Sequence, residues 1–168
     1  MKSPICTFDA KTGVLCSKCE AKLRAGDLSK DDVDASIGLA RLAEKNQDVN
    51  KFTLQKAFRV GNDFVVVLRS PDVSVLRSNS ALAERIESDF GRRVWFVESE
   101  ASDRRFIEGL FHPLRVSSVN QFWLPDGYKL TKVIASGNLP RSRVDIEQVK
   151  KIAKAVRNIE LTVEVEQR

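Results

Sequence analysis

Three cysteines and one aspartate, all within residues 1–19, carry the sharpest chemical signal in the chain. Cys16 and Cys19 stand in the C-x-x-C spacing that lets two thiolates hold one Zn2+ ion. Upstream, Cys6 and Asp9 repeat that spacing with a carboxylate where a fourth thiol would stand. Asp9 can supply an oxygen ligand and complete a Cys3Asp site; water or a backbone group could also fill the position. Two other readings are open: free thiols in a decayed knuckle, and a redox pair. The redox pair needs a C-x-x-C at a helix N-terminus after a strand, and this context does not suggest one. A bound metal would substitute for a core in a segment too short to make its own.

A second group is the turn Arg77-Ser78-Asn79-Ser80 inside "VLRSNSALAERIESDFGRRVWFVE". Its layout is that of a phosphate grip: a polar turn, a helix, a glycine stop and a strand. Such turns normally use glycine, so that backbone N–H groups and the positive end of the next helix can approach a phosphate closely. Here the contacts would come from Arg77, the polar groups of Ser78, Asn79 and Ser80, and the helix N-terminus. Alternatively Ser80 is simply an N-cap and the turn a scaffold.

The third group is basic. Net charge is +5, and residues 115–157 hold nine basic groups against three acidic ones. Lys150, Lys154 and Arg157 fall at i, i+4 and i+7 of an expected last helix, with Lys151 beside them, on the face away from Val149 and Ile152. Arg141 and Arg143 precede that helix, and Lys129 and Lys132 lie on a strand that could face the same way. A patch of this kind neutralises phosphates by releasing counterions; otherwise it is a solvated helix face. Trp95 and Trp123 are expected in the core; alternation allows only one of Phe122 and Trp123 to be buried, and the one facing outward is a candidate for stacking on bases.

These groups need elements to position them. Ser29 with Asp32 three residues on opens a helix striped by Val33, Ile37, Ala40 and Ala43. "FTLQKAFRV" and "DFVVVLRS" across Gly61-Asn62 read as a hairpin. A short helical segment around residues 72–76 follows, then a helix on Leu82, Ile86 and Phe90 ending at Gly91, then the strand "RVWFVES". The order is α-β-β-α-α-β. Ser102 caps "DRRFIEGLF", and "LRVSSVNQFWL" and "YKLTKVIAS" are strands. Asp145 caps a helix on Val149, Ile152, Ala153 and Val156, and residues 159–166 alternate as a half-buried strand. This second order is α-β-β-α-β, with "GNLPRSR" as a loop. The fold class expected is α+β, in three segments: a cysteine knuckle over 1–28, one unit over 29–100 and a divergent basic unit over 101–168.

The first order, with Leu76 before the turn, Ala83, Ile86, Phe90 and Gly91 after it and the ending "RRVWFVE", resembles a type II K homology (KH) domain. At the places where that family usually has G-x-x-G, this chain has Arg77 and Ser80. The tandem arrangement, "FIEGLFHPLRV" and "FWLPDG" resemble the archaeal NusA-like proteins and a small group of archaeal KH proteins that open with a cysteine knuckle. That group usually reads C-x-x-C where this chain has "CTFD". The resemblance implies zinc, RNA as partner (ribosomal RNA or a nascent transcript) and association with the ribosome or RNA polymerase in transcription or translation.

Catalysis is not expected. His112, before a proline at a helix end, reads as a terminal cap, and no P-loop, nucleotide fingerprint or nucleophile elbow appears. Asp31, Asp32 and Asp34 suit the first turn of a helix. No small-molecule substrate is indicated, and no apolar run approaches a membrane span, so a cytoplasmic protein with no membrane partner is expected. Two functions from different classes follow: an RNA-binding factor, or a degenerate KH scaffold docking on ribosomal or polymerase proteins. A duplex-DNA binder lacks its helix-turn-helix signature.

Overall fold

The computed structural model describes residues 1–166 and divides into two compact units, Met1–Glu100 and Ala101–Arg168. It is a mixed α+β fold with two three-stranded sheets among the described residues. Among the described residues no helix is long and apolar enough to cross a membrane.

In the first unit, the cysteine segment forms two short helices, α1 (Thr7–Thr12) and α2 (Ser17–Ala25). Apolar periodicity does not announce them. They start at Cys6 and Cys16 as N-caps and stop at Gly13 and Gly26, both left-handed. Helix α3 (Lys30–Ala43) opens with the complete capping box of Ser29 and Asp32. Its stripe has two sides. Val33, Ile37 and Ala40 join a small cluster with Ile5, Ala10, Cys19 and Leu28, whereas Ala35, Leu39 and Leu42 enter the main core. A single turn, α4 (Gln47–Asn50), leads to strand β1 (Leu54–Val60).

The Gly61-Asn62 link makes the expected hairpin: β1 pairs antiparallel with β2 (Asp63–Leu68), register Val60↔Asp63. Helices α5 (Ser70–Ser78) and α6 (Ser80–Phe90) follow, and β3 (Val94–Glu98) returns parallel to β2. Strand order is β1-β2-β3. β2 is buried along nearly its whole length, as "FVVVL" requires. One residue, Asn79, separates the two helices. It is Asn79 and not Ser80 that caps α6, its Oδ1 accepting from Leu82 N at 3.1 Å. Trp95 is buried, and its Nε1 donates to Asp63 Oδ2 at 2.8 Å.

The second unit runs α7 (Asp103–Phe111), β4 (Arg115–Trp123), β5 (Lys129–Ser136), α8 (Leu139–Ser142), α9 (Ile146–Arg157) and β6 (Glu160–Glu166). β4 and β5 are antiparallel and β6 returns parallel to β5. The loop "GNLPRSR" contains one helical turn, α8, so this unit also has a helix pair before its last strand. Pro140 sits in its first turn, where the missing N–H costs nothing. Arg143 closes it at φ 52. Phe106, Ile107, Leu110, Phe111, Val149, Ile152 and Ala153 are buried.

Candidate metal centre and nucleic-acid interface

Cys6, Asp9, Cys16 and Cys19 come together: one ligand atom from each lies within 4.8 Å of the others. Local structure explains the convergence. Each pair occupies the N-cap and third helical position of its helix, so both helices aim their positive ends at one spot, which favours thiolate and carboxylate. Backbone donors point at the same atoms: Cys6 N to Cys19 Sγ and Asp9 N to Cys6 Sγ, both 3.5 Å, and Cys16 N to Asp9 Oδ2 at 2.9 Å.

These residues fit a metal ion. Asp9 is fully buried, and its Oδ1 has no hydrogen-bond partner among the described residues; a buried carboxylate oxygen normally has one. Tetrahedral zinc with Zn–S bonds of about 2.3 Å would hold its ligand atoms about 3.8 Å apart, a small contraction of the observed cluster. Without an ion the protons go to sulfur. The Cys19 thiol, bonded to the Asp9 carboxylate, is pushed up to about 12, and that bond, with the Cys16 N–H, holds Asp9 well below the usual carboxylate range. Cys16 does stand at a helix N-terminus, but no strand precedes that helix.

The turn of the first unit is occupied from within. Arg77 lies in the last turn of α5, and its Nη1 is 3.0 Å from Oε1 of Glu98, a buried carboxylate at the end of β3. The Ser78 hydroxyl donates back to the carbonyls of Ser74 and Val75. Asn79 is committed to its cap, and Ser80 is the first residue of α6. Of the residues expected to contact phosphate here, Arg77, Ser78 and Asn79 have intramolecular partners.

The basic residues of the second unit separate into kinds. Lys150 and Lys154 are ion-paired at the surface, to Glu147 at 2.8 Å and Glu160 at 2.7 Å. Arg157 is structural: its guanidinium bonds Asp103 at 3.1 Å and sits 4.6 Å from the Phe106 ring, tying α9 to α7. Lys129 and Lys132 do not share a face, because three residues on a strand is an odd step. Lys132 pairs with Glu164 at 2.8 Å and holds that carboxyl below its ordinary range. Lys129 lies 6.0 Å from the Trp123 ring. Among the described residues Lys151, Arg141 and Arg143 have no ion pair.

No family of known proteins has a model that matches this chain, and no curated protein matches it either. Among solved structures it is similar to the crystal structure of APE1850, with 11% identity and a TM-score of 0.49 over 77% of this chain and 95% of that one.

Sequence reasoning did not foresee a shallow, largely open groove of about 510 Å3 in the second unit, between α9 and the start of β5 and β6. Lys150, Lys151, Lys154 and Ala155 line it from the helix, and Leu130, Ile159, Leu161 and the carboxylate of Glu160, paired with Lys154, from the sheet side. The i, i+1, i+4 spacing of the lysines was visible; the apolar opposite wall depends on strand register and was not. Alternation allowed one of Phe122 and Trp123 to face outward; in the structure both are exposed.

Proposed function

We propose that the chain is a non-catalytic RNA-binding factor of the translation or transcription apparatus, working in the cytoplasm, which takes single-stranded RNA in the α9 groove. The observation that carries this reading is the groove itself. Three lysines on one wall can meet phosphates, and Leu130, Ile159 and Leu161 opposite, beside the single carboxylate of Glu160, can hold bases out of water, which is the form that recognition of unstacked RNA takes. The ion pairs of Lys150 and Lys154 are little obstacle, since exposed pairs contribute little and exchange partners readily.

Both units run helix, hairpin, helix pair, parallel third strand, which supports a tandem type II KH-like arrangement. Arg141 and Arg143 stand at the second unit's helix–helix junction, the place that Arg77 to Ser80 occupy in the first. Since Arg77 and Ser78 are engaged internally, RNA binding is assigned to the second unit and the first acts as a scaffold. The Cys3Asp cluster is proposed to hold zinc, through Cys6, Cys16, Cys19 and Asp9; the ion would pin α1 to α2.

The test is anisotropy of a labelled oligo(U) across a salt series. Wild type should show a log–log slope of roughly −0.7 for each phosphate contact. Lys150→Ala/Lys154→Ala should reduce that slope by about 1.4, the share of two contacts, and Arg77→Ala should leave it unchanged. Absence of binding at low salt would overturn the reading in favour of a protein-docking scaffold.

A further inference from the structure

We infer that the tip of the β4–β5 hairpin is a base-stacking platform, on which Trp123 and Tyr128 take one or two unpaired bases of a strand leaving the α9 groove. This rests on the RNA-binding reading above and extends it to a second set of residues.

The described residues contain seven exposed large apolar side chains, and four of them, Phe122, Trp123, Leu124 and Tyr128, fall on this one tip. Trp123 is 73% and Tyr128 65% exposed. Core packing does not explain them. Further along the hairpin, the face shared by Trp123 and Lys129 buries Thr131, Val133 and Ala135, but the strands run on past the end of that burial. The tip is nonetheless firmly built: Leu124 N donates to Tyr128 O at 2.8 Å, Gly127 N to Leu124 O at 2.9 Å, and Tyr128 N to Asp126 Oδ1 at 3.2 Å. Gly127, at φ 85, supplies the left-handed residue this turn needs.

Two observations select nucleic acid as the occupant. The first is charge. Lys129 is held beside the Trp123 ring, so a cation stands where a stacked nucleotide would carry its phosphate. The second is continuity. Trp123 pairs with Lys129; two residues on, Thr131 shares that face and pairs with Leu161, which lines the groove. By strand geometry Trp123 is therefore roughly 12 Å from the groove's sheet-side wall, within about two nucleotides of an extended strand. Aromatic faces beside a basic groove are the arrangement that single-strand binders use without sequence preference.

The chain's two tryptophans make the test specific. In a Trp95→Phe background, Trp123 is the sole tryptophan and can be excited at wavelengths that Tyr128 does not absorb; oligo(U) should quench it on binding, and inorganic polyphosphate, which offers charge without bases, should not. Trp123→Ala should weaken oligo(U) binding roughly 5- to 150-fold, the effect of losing one stacked base, with the salt slope unchanged. Trp123→Tyr should restore most of the affinity. Because Trp123 is exposed, the alanine variant should fold, and far-UV circular dichroism checks that it does. If oligo(U) binds with the lysine-dependent slope while Trp123 is neither quenched nor needed, the platform is overturned and the groove reading stands. If oligo(U) does not bind at all, both are overturned and the tip is a protein contact.

Discussion

The guanidinium of Arg77 and the carboxylate of Glu98 meet at 3.0 Å, the arginine 37% exposed and the glutamate 2%. A residue placed where a phosphate contact was expected thus compensates a charge at the end of β3. Arg77→Ala should destabilise the first unit by about 1–2 kcal/mol, less than a fully buried pair because water reaches the guanidinium. Adding Glu98→Gln should recover part of that loss, giving a non-additive double-mutant cycle. Urea unfolding followed by Trp95 fluorescence measures it, and strictly additive effects would refute the coupling.

In the proposed zinc site Asp9 is the one oxygen ligand. Asp9→Ala should weaken zinc at least about tenfold, and Asp9→Cys should tighten it, as a thiolate replaces a harder oxygen. Competition with a chromophoric chelator gives both values. The pH dependence has a definite sign. The thiol protons must leave before sulfur can bind metal, so affinity falls as pH falls. In the metal-free protein, Cys19 is raised and Asp9 lowered. The Cys19 contribution to stability is present below its unfolded value, near 9.0, and is lost as pH rises towards about 12. The Asp9 contribution is present above its unfolded value and lost in acid.

Arg157 and Lys154 are three residues apart on α9 but should behave differently. Arg157→Ala should lower the stability of the second unit by roughly 1 kcal/mol, through the lost Asp103 bond and Phe106 contact, and leave the salt slope of RNA binding intact. Lys154→Ala should do the reverse. Chemical denaturation beside the salt series separates them; an equal slope change for both would sink the distinction.

Asp32 bridges two elements. One oxygen accepts from Ser29 N at 2.9 Å and the other from Ala57 N at 2.7 Å, so the start of α3 is fastened to β1. Asp32→Ala should cost roughly 2–4 kcal/mol, for a lost cap and a buried donor left without its acceptor. Asp32→Asn should cost less. A cost within about 0.5 kcal/mol, the range of ordinary surface substitutions, would contradict the bridge.

What could be read in advance was local. The Ser29–Asp32 box, the Gly61-Asn62 hairpin and the Gly91 stop depend on neighbours within a few residues, and each stands as written in the chain. What could not be read was set by distant partners. Arg77 meets Glu98 across 21 residues and Arg157 meets Asp103 across 54, so their charges looked available when they are bound within the fold. Helices α1 and α2 escaped notice for a different reason: they are organised by Cys6 and Cys16 as N-caps and by glycine stops, not by an apolar stripe. The exposure of Trp123 follows from how far the hairpin outruns the buried part of its face, which alternation does not encode.

Helix α3, with one side in the sheet core and the other in the small cluster of the cysteine segment, has a further consequence. The two clusters share a wall, so the ligand loops and the sheet should melt as a single cooperative block. Loss of the ion would then not fray one end of the chain. It would lower the midpoint for all of residues 1–100 together, and slow amide exchange in β2 would accelerate when a chelator is added.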